Sequence, residues 1–257
     1  MYIMSETFSS ITLDEAAPGA RDSSFYDTEW ADQWQDMKAY SPVARHTRRL
    51  ILRALDRIPH DSLIDIGCGI GSLLQGLVDL DRPVRYAGVD FSEKAVRIAA
   101  RRLNAQFTRL DVEREWLDET FDIGVCSEVL EHLEDDSTAI VNIAKMCRNV
   151  VITVPSGPLT PASIEMGHVR HYTKTDLTGK IEAAGLRVLS IRAWGTPFHD
   201  PLYAWLRSQS PDGATTGTYG PLRRALSAIL YLLFHLNVID RGHKLIAVAE
   251  RIPGRSY

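Results

Sequence analysis

The chain has 257 residues, 45% hydrophobic and 24% charged, with 29 lysines and arginines against 33 aspartates and glutamates for a formal net charge of −4. That much apolar material buries one substantial core and slightly exceeds one compact domain, so an appended cap is expected. The weak negative charge offers no global field for extended nucleic acid, and three cysteines, an odd number, do not make a disulfide framework; reduced thiols and a cytoplasmic setting are expected.

Residues 1–24 lack a basic start followed by an apolar run, so they read as a disordered leader and not as a signal peptide. In residues 25–40, Tyr26, Trp30 and Trp34 recur every four positions and would share one helix face, either a core-facing stripe or a lid. Residues 42–57 form an amphipathic helix in which Leu50, Leu52 and Leu55 are interspersed with Arg45, Arg48, Arg49 and Arg53.

The most informative stretch follows. The strand-like run Leu63-Ile64-Asp65-Ile66 leads directly into Gly67-Cys68-Gly69-Ile70-Gly71 and then into a helix at Ser72. Alternate glycines let the backbone turn sharply and approach a ligand closely. The spacing D-x-G-x-G-x-G differs from the dinucleotide fingerprint G-x-G-x-x-G and favours S-adenosylmethionine over NAD. Residues 85–90 form a second strand ending in Asp90, about twenty residues past the glycines, where a doubly wound fold places the acid that binds ribose hydroxyls. Phe91 follows, and Ser92 opens a helix. A third strand, 105–110, ends in Asp111-Val112, placed for an adenine ring.

Strands at 121–127, 149–154, 187–194 and 244–250 continue the alternation with helices, which implies parallel strands covered on both sides. The expected fold is therefore α/β: a doubly wound, seven-stranded, mostly parallel Rossmann-like sheet. An N-terminal helical lid and a C-terminal helical insertion complete it. The predicted organisation is a leader at 1–24, a domain at 25–194 plus 243–252 that includes the lid, and a cap insertion at 195–242. Within the cap, the apolar stretch 225–239 is too short to span a bilayer, which takes about twenty such residues. It reads as a buried or dimer-forming helix, so a homodimer is an option and a membrane span is not.

With these residues in view, the chain resembles the class I S-adenosylmethionine-dependent methyltransferases over roughly residues 40–192. The resemblance implies that Asp65 and the loop of Gly67, Gly69 and Gly71 serve the methionine part of the cofactor, Asp90 the ribose, and Asp111 the adenine. Phe91 and Val112 flank these acids. Arg45 aligns with an arginine placed to bind the cofactor carboxylate, the other arginines being a solvated face. Bacterial small-molecule members carry Glu-Val-Leu-Glu-His after the fourth strand and Gly-His-x-Arg-x-Tyr-Thr later; here these are Glu128 to His132 and Gly167 to Thr173.

If residues 128–132 are helical, Glu128, Glu131 and His132 lie on one face. Two carboxylates and an imidazole suit a divalent ion such as Mg²⁺ or Mn²⁺ but leave its shell incomplete. The stretch resembles the metal motif of small-RNA 2′-O-methyltransferases and of some ubiquinone-pathway O-methyltransferases, in which a downstream histidine completes the ligands. His168 is the match. The same stretch also occurs in metal-free methyltransferases, where Glu128 borders the cofactor and His132 faces the acceptor as general base. A purely structural His132 is the third reading. His168 and Tyr172 belong either to the substrate site or to a loop packed under the cap. The expected function is methyl transfer from S-adenosylmethionine to a small-molecule acceptor, with oxygen favoured by the resemblance. The alternatives are metal-dependent RNA 2′-O-methylation and a cofactor-binding regulator without turnover.

Overall fold

The computed structural model describes residues 39–79, 84–209 and 219–254. The predicted leader, all but the last two residues of the predicted lid, and most of the loop at 210–221 lie outside the described residues.

Helix α1 (Pro42–Leu55) begins with proline in its first turn, where no hydrogen bond is lost. Strand β1 (Ser62–Ile66), buried along its whole length, is followed by α2 (Ser72–Val78), β2 (Arg85–Asp90), α3 (Glu93–Arg102) and β3 (Gln106–Arg109). Ser92 caps α3 by accepting a hydrogen bond from Ala95 N at 3.0 Å, while Glu93 in the first turn and Arg101 and Arg102 in the last complement the helix dipole. Strand β4 (Phe121–Ser127) leads through a 3₁₀ turn at Leu130–His132 to α4 (Asp136–Met146) and β5 (Cys147–Pro155). Then come α5 (Pro161–Glu165), α6 (Lys174–Ala183) and β6 (Leu186–Thr196). The segment between the last two strands contains α7 (His199–Gln209) and α8 (Pro221–Leu233), and β7 (Ile239–Arg251) closes the sheet.

The seven strands lie in the order β3-β2-β1-β4-β5-β7-β6, with β1 to β5 parallel and β7 antiparallel to both neighbours. Apolar side chains fill both faces: Ile51, Leu55, Leu74 and Leu77 of α1 and α2 on one, Ile140, Ile143, Leu177 and Ile181 of α4 and α6 on the other. The strand order reverses between β1 and β4, which opens a crevice at the carboxyl ends of those strands, the usual ligand position in open α/β sheets.

Helix α8 is not a buried helix, the first of its two expected alternatives. It packs one side on α1, where His46 Nε2 donates to Tyr231 O at 2.8 Å and Arg45 lies over the Tyr231 ring at 3.8 Å. Its apolar residues Leu222, Leu226, Ile229 and Leu232 nevertheless point outward among the described residues. No helix of the described residues is long and apolar enough to cross a membrane.

Candidate active site

A cavity of about 1010 Å³ occupies the crevice. At one end is the glycine loop. Gly67, Gly69 and Gly71 all have positive φ, at 74°, 53° and 79°, and a Cβ on Gly67 would fall 2.2 Å from Val129 Cγ2. No side chain fits there, so the turn keeps its backbone open to the cavity. Gly69 N donates to Asp90 Oδ2 at 2.8 Å, and Ser92 N donates to Asp90 Oδ1 at 2.9 Å. These bonds fix the Asp90 carboxylate at the tip of β2, in the wall of the cavity. Asp111 is held similarly, with Oδ1 accepting from Glu113 N at 3.1 Å and Oδ2 paired with Arg114 at 3.0 Å. The donor set fits the nucleoside and methionine parts of S-adenosylmethionine.

Asp65, Gly67, Asp90, Phe91, Asp111, Val112, Glu128, Glu131, His132 and His168 all line this one cavity. Gly69 and Gly71 shape the turn but are not in the wall. Arg45 is not in the wall either, because its guanidinium stacks on Tyr231 of α8; one helical turn on, Arg48 faces the cavity instead.

The turn after β4 is not the helix that would align Glu128, Glu131 and His132. Glu128 is the only non-glycine residue with positive φ among the described residues, at 59°, and just Leu130–His132 form a 3₁₀ turn. This backbone sends the Glu128 side chain away from the other two. It accepts from Thr153 Oγ1 at 2.9 Å and forms an ion pair with Lys244 of β7. Glu131, His132 and His168 do come together, with potential donor atoms within 4.8 Å of one another. His132 Nδ1 lies 3.2 Å from the carbonyl oxygen of Gly167; a carbonyl only accepts, so Nδ1 carries the proton and Nε2 is the basic atom. The His168 ring meets that of His132 edge-on at 4.8 Å, and its Nδ1 lies 2.9 Å from His171 Nε2. Burial, reinforced by the neighbouring His132 and His171, lowers the His168 pKa to about 3, so it is neutral at physiological pH.

Tyr172 is placed differently from its expected catalytic position. It is 1% exposed and outside the cavity wall, and its hydroxyl donates to Asp136 Oδ2 at 2.6 Å. Burial opposes ionisation of Asp136, but hydrogen bonds from Tyr172 and Lys180 outweigh it and hold the carboxyl below the usual range. Arg170 completes this group through its ion pair with Asp136 at 2.8 Å. The chemistry of Tyr172 is thus to lock the segment carrying His168 onto α4.

The far wall comes from residues the sequence did not single out. His199, Asp200, Tyr203, His243 and Lys244 line the cavity from α7 and β7. Asp200 Oδ1 accepts from His199 Nδ1 at 2.8 Å and from His243 Nδ1 at 2.7 Å. A lysine opening the otherwise apolar run Lys244-Leu245-Ile246-Ala247 was the one available signal, because a buried cation in a strand needs a partner. His199 and His243, 44 positions apart, match no recognisable spacing.

Residues 64–149 match the model of a family described as a methyltransferase domain. Over 131 residues the chain is 28% identical to a ubiquinone biosynthesis O-methyltransferase of Thiobacillus denitrificans, covering 47% of this chain and 56% of that one. Over 111 residues it is 30% identical to a small RNA 2′-O-methyltransferase of Arabidopsis thaliana, covering 37% and 12%. The chain therefore spans about half the length of the first of these relatives and a small part of the second. Its fold is similar to that of the N-methyltransferase NodS from Bradyrhizobium japonicum WM9, solved in complex with S-adenosyl-L-homocysteine, with a TM-score of 0.59 and 18% identity over 89% of this chain and 97% of that one. Residues 64–149 thus match a methyltransferase domain, set in a fold similar to that of a solved methyltransferase.

Proposed function

We propose that the protein transfers the methyl group of S-adenosylmethionine to an oxygen of a small-molecule acceptor in the cytoplasm. The observation that carries this reading is the continuity of the cavity: the glycine loop, Asp90 and Asp111 share one space with His132 and His168. When bound, the cofactor supplies a sulfonium-activated methyl group. Asp90 takes the ribose hydroxyls, Asp111 and Val112 receive the adenine, and Asp65 and Arg48 face the amino-acid part. His132, protonated on Nδ1 by its contact with Gly167, uses Nε2 to remove the acceptor's proton. Glu131 lies close enough to favour the imidazolium that results. The segment at 195–242, with α7 in the cavity wall, serves as cover and specificity wall for the acceptor.

The second reading is metal-assisted transfer, including RNA 2′-O-methylation. It is supported by the proximity of Glu131, His132 and His168 and weakened by the engagement of Glu128, the fourth expected ligand, with Lys244. The test is release of S-adenosylhomocysteine with panels of hydroxylated small molecules, amines and short RNA. The proposal expects turnover with a hydroxylated acceptor and a loss of roughly 10²–10⁴ in rate for His132→Ala. Chelator-sensitive turnover on RNA would favour the second reading, and turnover on amines alone would overturn oxygen as the acceptor atom.

A further inference from the structure

The junction of β6, α7 and β7 carries a cluster that the methyl-transfer reading leaves unused. One carboxylate oxygen, Asp200 Oδ1, sits 2.8 Å from His199 Nδ1 and 2.7 Å from His243 Nδ1, so two imidazoles and a carboxylate converge on one point in the cavity wall. The backbone is shaped to allow this. A Cβ on Gly195, whose φ is 147°, would fall 2.2 Å from Asp200 Oδ1, and a Cβ on Gly242, at φ 150°, would fall 2.2 Å from the carbonyl oxygen of Trp194. Asn237 Oδ1 accepts from Phe198 N at 2.7 Å and from His199 N at 3.3 Å, fixing the start of α7. His199 is 3% exposed and its Nε2 is buried without a hydrogen-bond partner, so the protein provides for only the nitrogen that faces Asp200.

We infer that His199, Asp200 and His243 form a binding site for one divalent transition-metal ion, separate from the group of Glu131, His132 and His168. Two imidazole nitrogens with one carboxylate oxygen select ions of the zinc, manganese, iron and cobalt type over magnesium and calcium, which prefer all-oxygen shells. The potential ligand atoms of His199, Asp200 and His243 lie within 4.8 Å of one another. The Asp200 carboxylate accepts both histidine N–H groups at one oxygen. The adjoining cation, Lys244, is engaged by Glu128. On binding, the ion replaces the two N–H protons at Asp200, each imidazole carries its proton on Nε2, and the rings, stacked at 4.1 Å with 21° between their planes, tilt apart to admit an ion at about 2.0–2.2 Å. Three protein ligands leave coordination positions open toward the cavity, the arrangement of a catalytic and not a structural metal site. A hydroxyl or carboxylate of the bound small molecule is the chemistry that fills them. The inference does not depend on the acceptor's identity.

The test uses the full chain, stripped by chelator, dialysed, and titrated near neutral pH with Co²⁺ followed by visible absorption and with Zn²⁺ by calorimetry. One ion per chain is expected at this site, with little response to Mg²⁺. Affinity should drop at least ~100-fold in Asp200→Asn and in His243→Ala, the latter chosen because a third of the His243 side chain is exposed, with far-UV circular dichroism confirming the fold. His132→Ala and His168→Ala should leave this ion in place. The inference is overturned by a native chain that binds neither ion, by binding that survives both Asp200→Asn and His243→Ala, or by binding lost in His132→Ala.

Discussion

Lys244, on the antiparallel last strand, forms an ion pair with Glu128, the residue that leaves β4 in a left-handed conformation. The pair joins the proposed cofactor end of the cavity to the wall built by β7 and α7, and Thr153 Oγ1 holds the other carboxylate oxygen of Glu128 at 2.9 Å. A non-glycine residue at positive φ costs about 1–2 kcal/mol, so the surrounding contacts must over-determine it.

Lys244→Met should therefore lower stability by about 1.5–3 kcal/mol, the worth of a charge-assisted hydrogen bond, and weaken S-adenosylhomocysteine binding. In a Glu128→Gly background, which removes both the carboxylate and the strain, Lys244→Met should cost markedly less. A double-mutant cycle by urea denaturation reads this coupling directly; additive effects would remove the pair from the account.

Arg48 and Arg45 separate cleanly by position. Arg48→Ala should weaken binding of S-adenosylhomocysteine in calorimetry, since it removes a cation from the cavity wall. Arg45→Ala should leave that affinity unchanged and cost about 0.5–1 kcal/mol of stability through the lost stacking on Tyr231.

Tyr172→Phe should destabilise the fold by about 1–3 kcal/mol by leaving the buried Asp136 carboxylate without its hydroxyl donor. Cofactor affinity should be unaffected. A large loss of turnover at unchanged stability would return Tyr172 to the chemistry.

Burial lowers the pKa of five histidines, His46, His168, His171, His199 and His243, to about 4 for His46, about 3 for His168 and about 4 for His199. Each is protonated more readily in the unfolded chain, so the stability it contributes is present above pH 6.5, the unfolded value, and is lost as pH falls toward the folded values. Each such group removes up to about 1.4 kcal/mol per pH unit across that window. Urea midpoints between neutral and mildly acid pH should fall accordingly, and His46→Asn should flatten the dependence.

Much of the fold was legible because its signals are local. The glycine loop, the acids at the tips of β2 and β3, and the alternation of strands with amphipathic helices each lie within a short window. Phe121–Ser127 was bounded as found. The site was legible only at that end. Helical spacing groups Glu128 with Glu131 and His132, but one left-handed residue breaks the helix, and nothing in Glu-Val-Leu-Glu-His announces it. Arg45 and Arg48 lie on neighbouring parts of one amphipathic surface, and only the packing of α8 decides which meets the cavity. Asp200 and His243 meet because β6 and β7 pair across the insertion, a tertiary consequence with no sequence period.

The most direct test of the central claim is calorimetry of the purified chain with S-adenosylhomocysteine and with NADH, repeated for Asp90→Ala. The account predicts binding of the first ligand and not the second, with Asp90→Ala weakening it by about 1.5–3 kcal/mol through lost hydrogen bonds between the carboxylate and the ribose. Binding of NADH alone, or S-adenosylhomocysteine affinity unchanged in a folded Asp90→Ala variant, would contradict it.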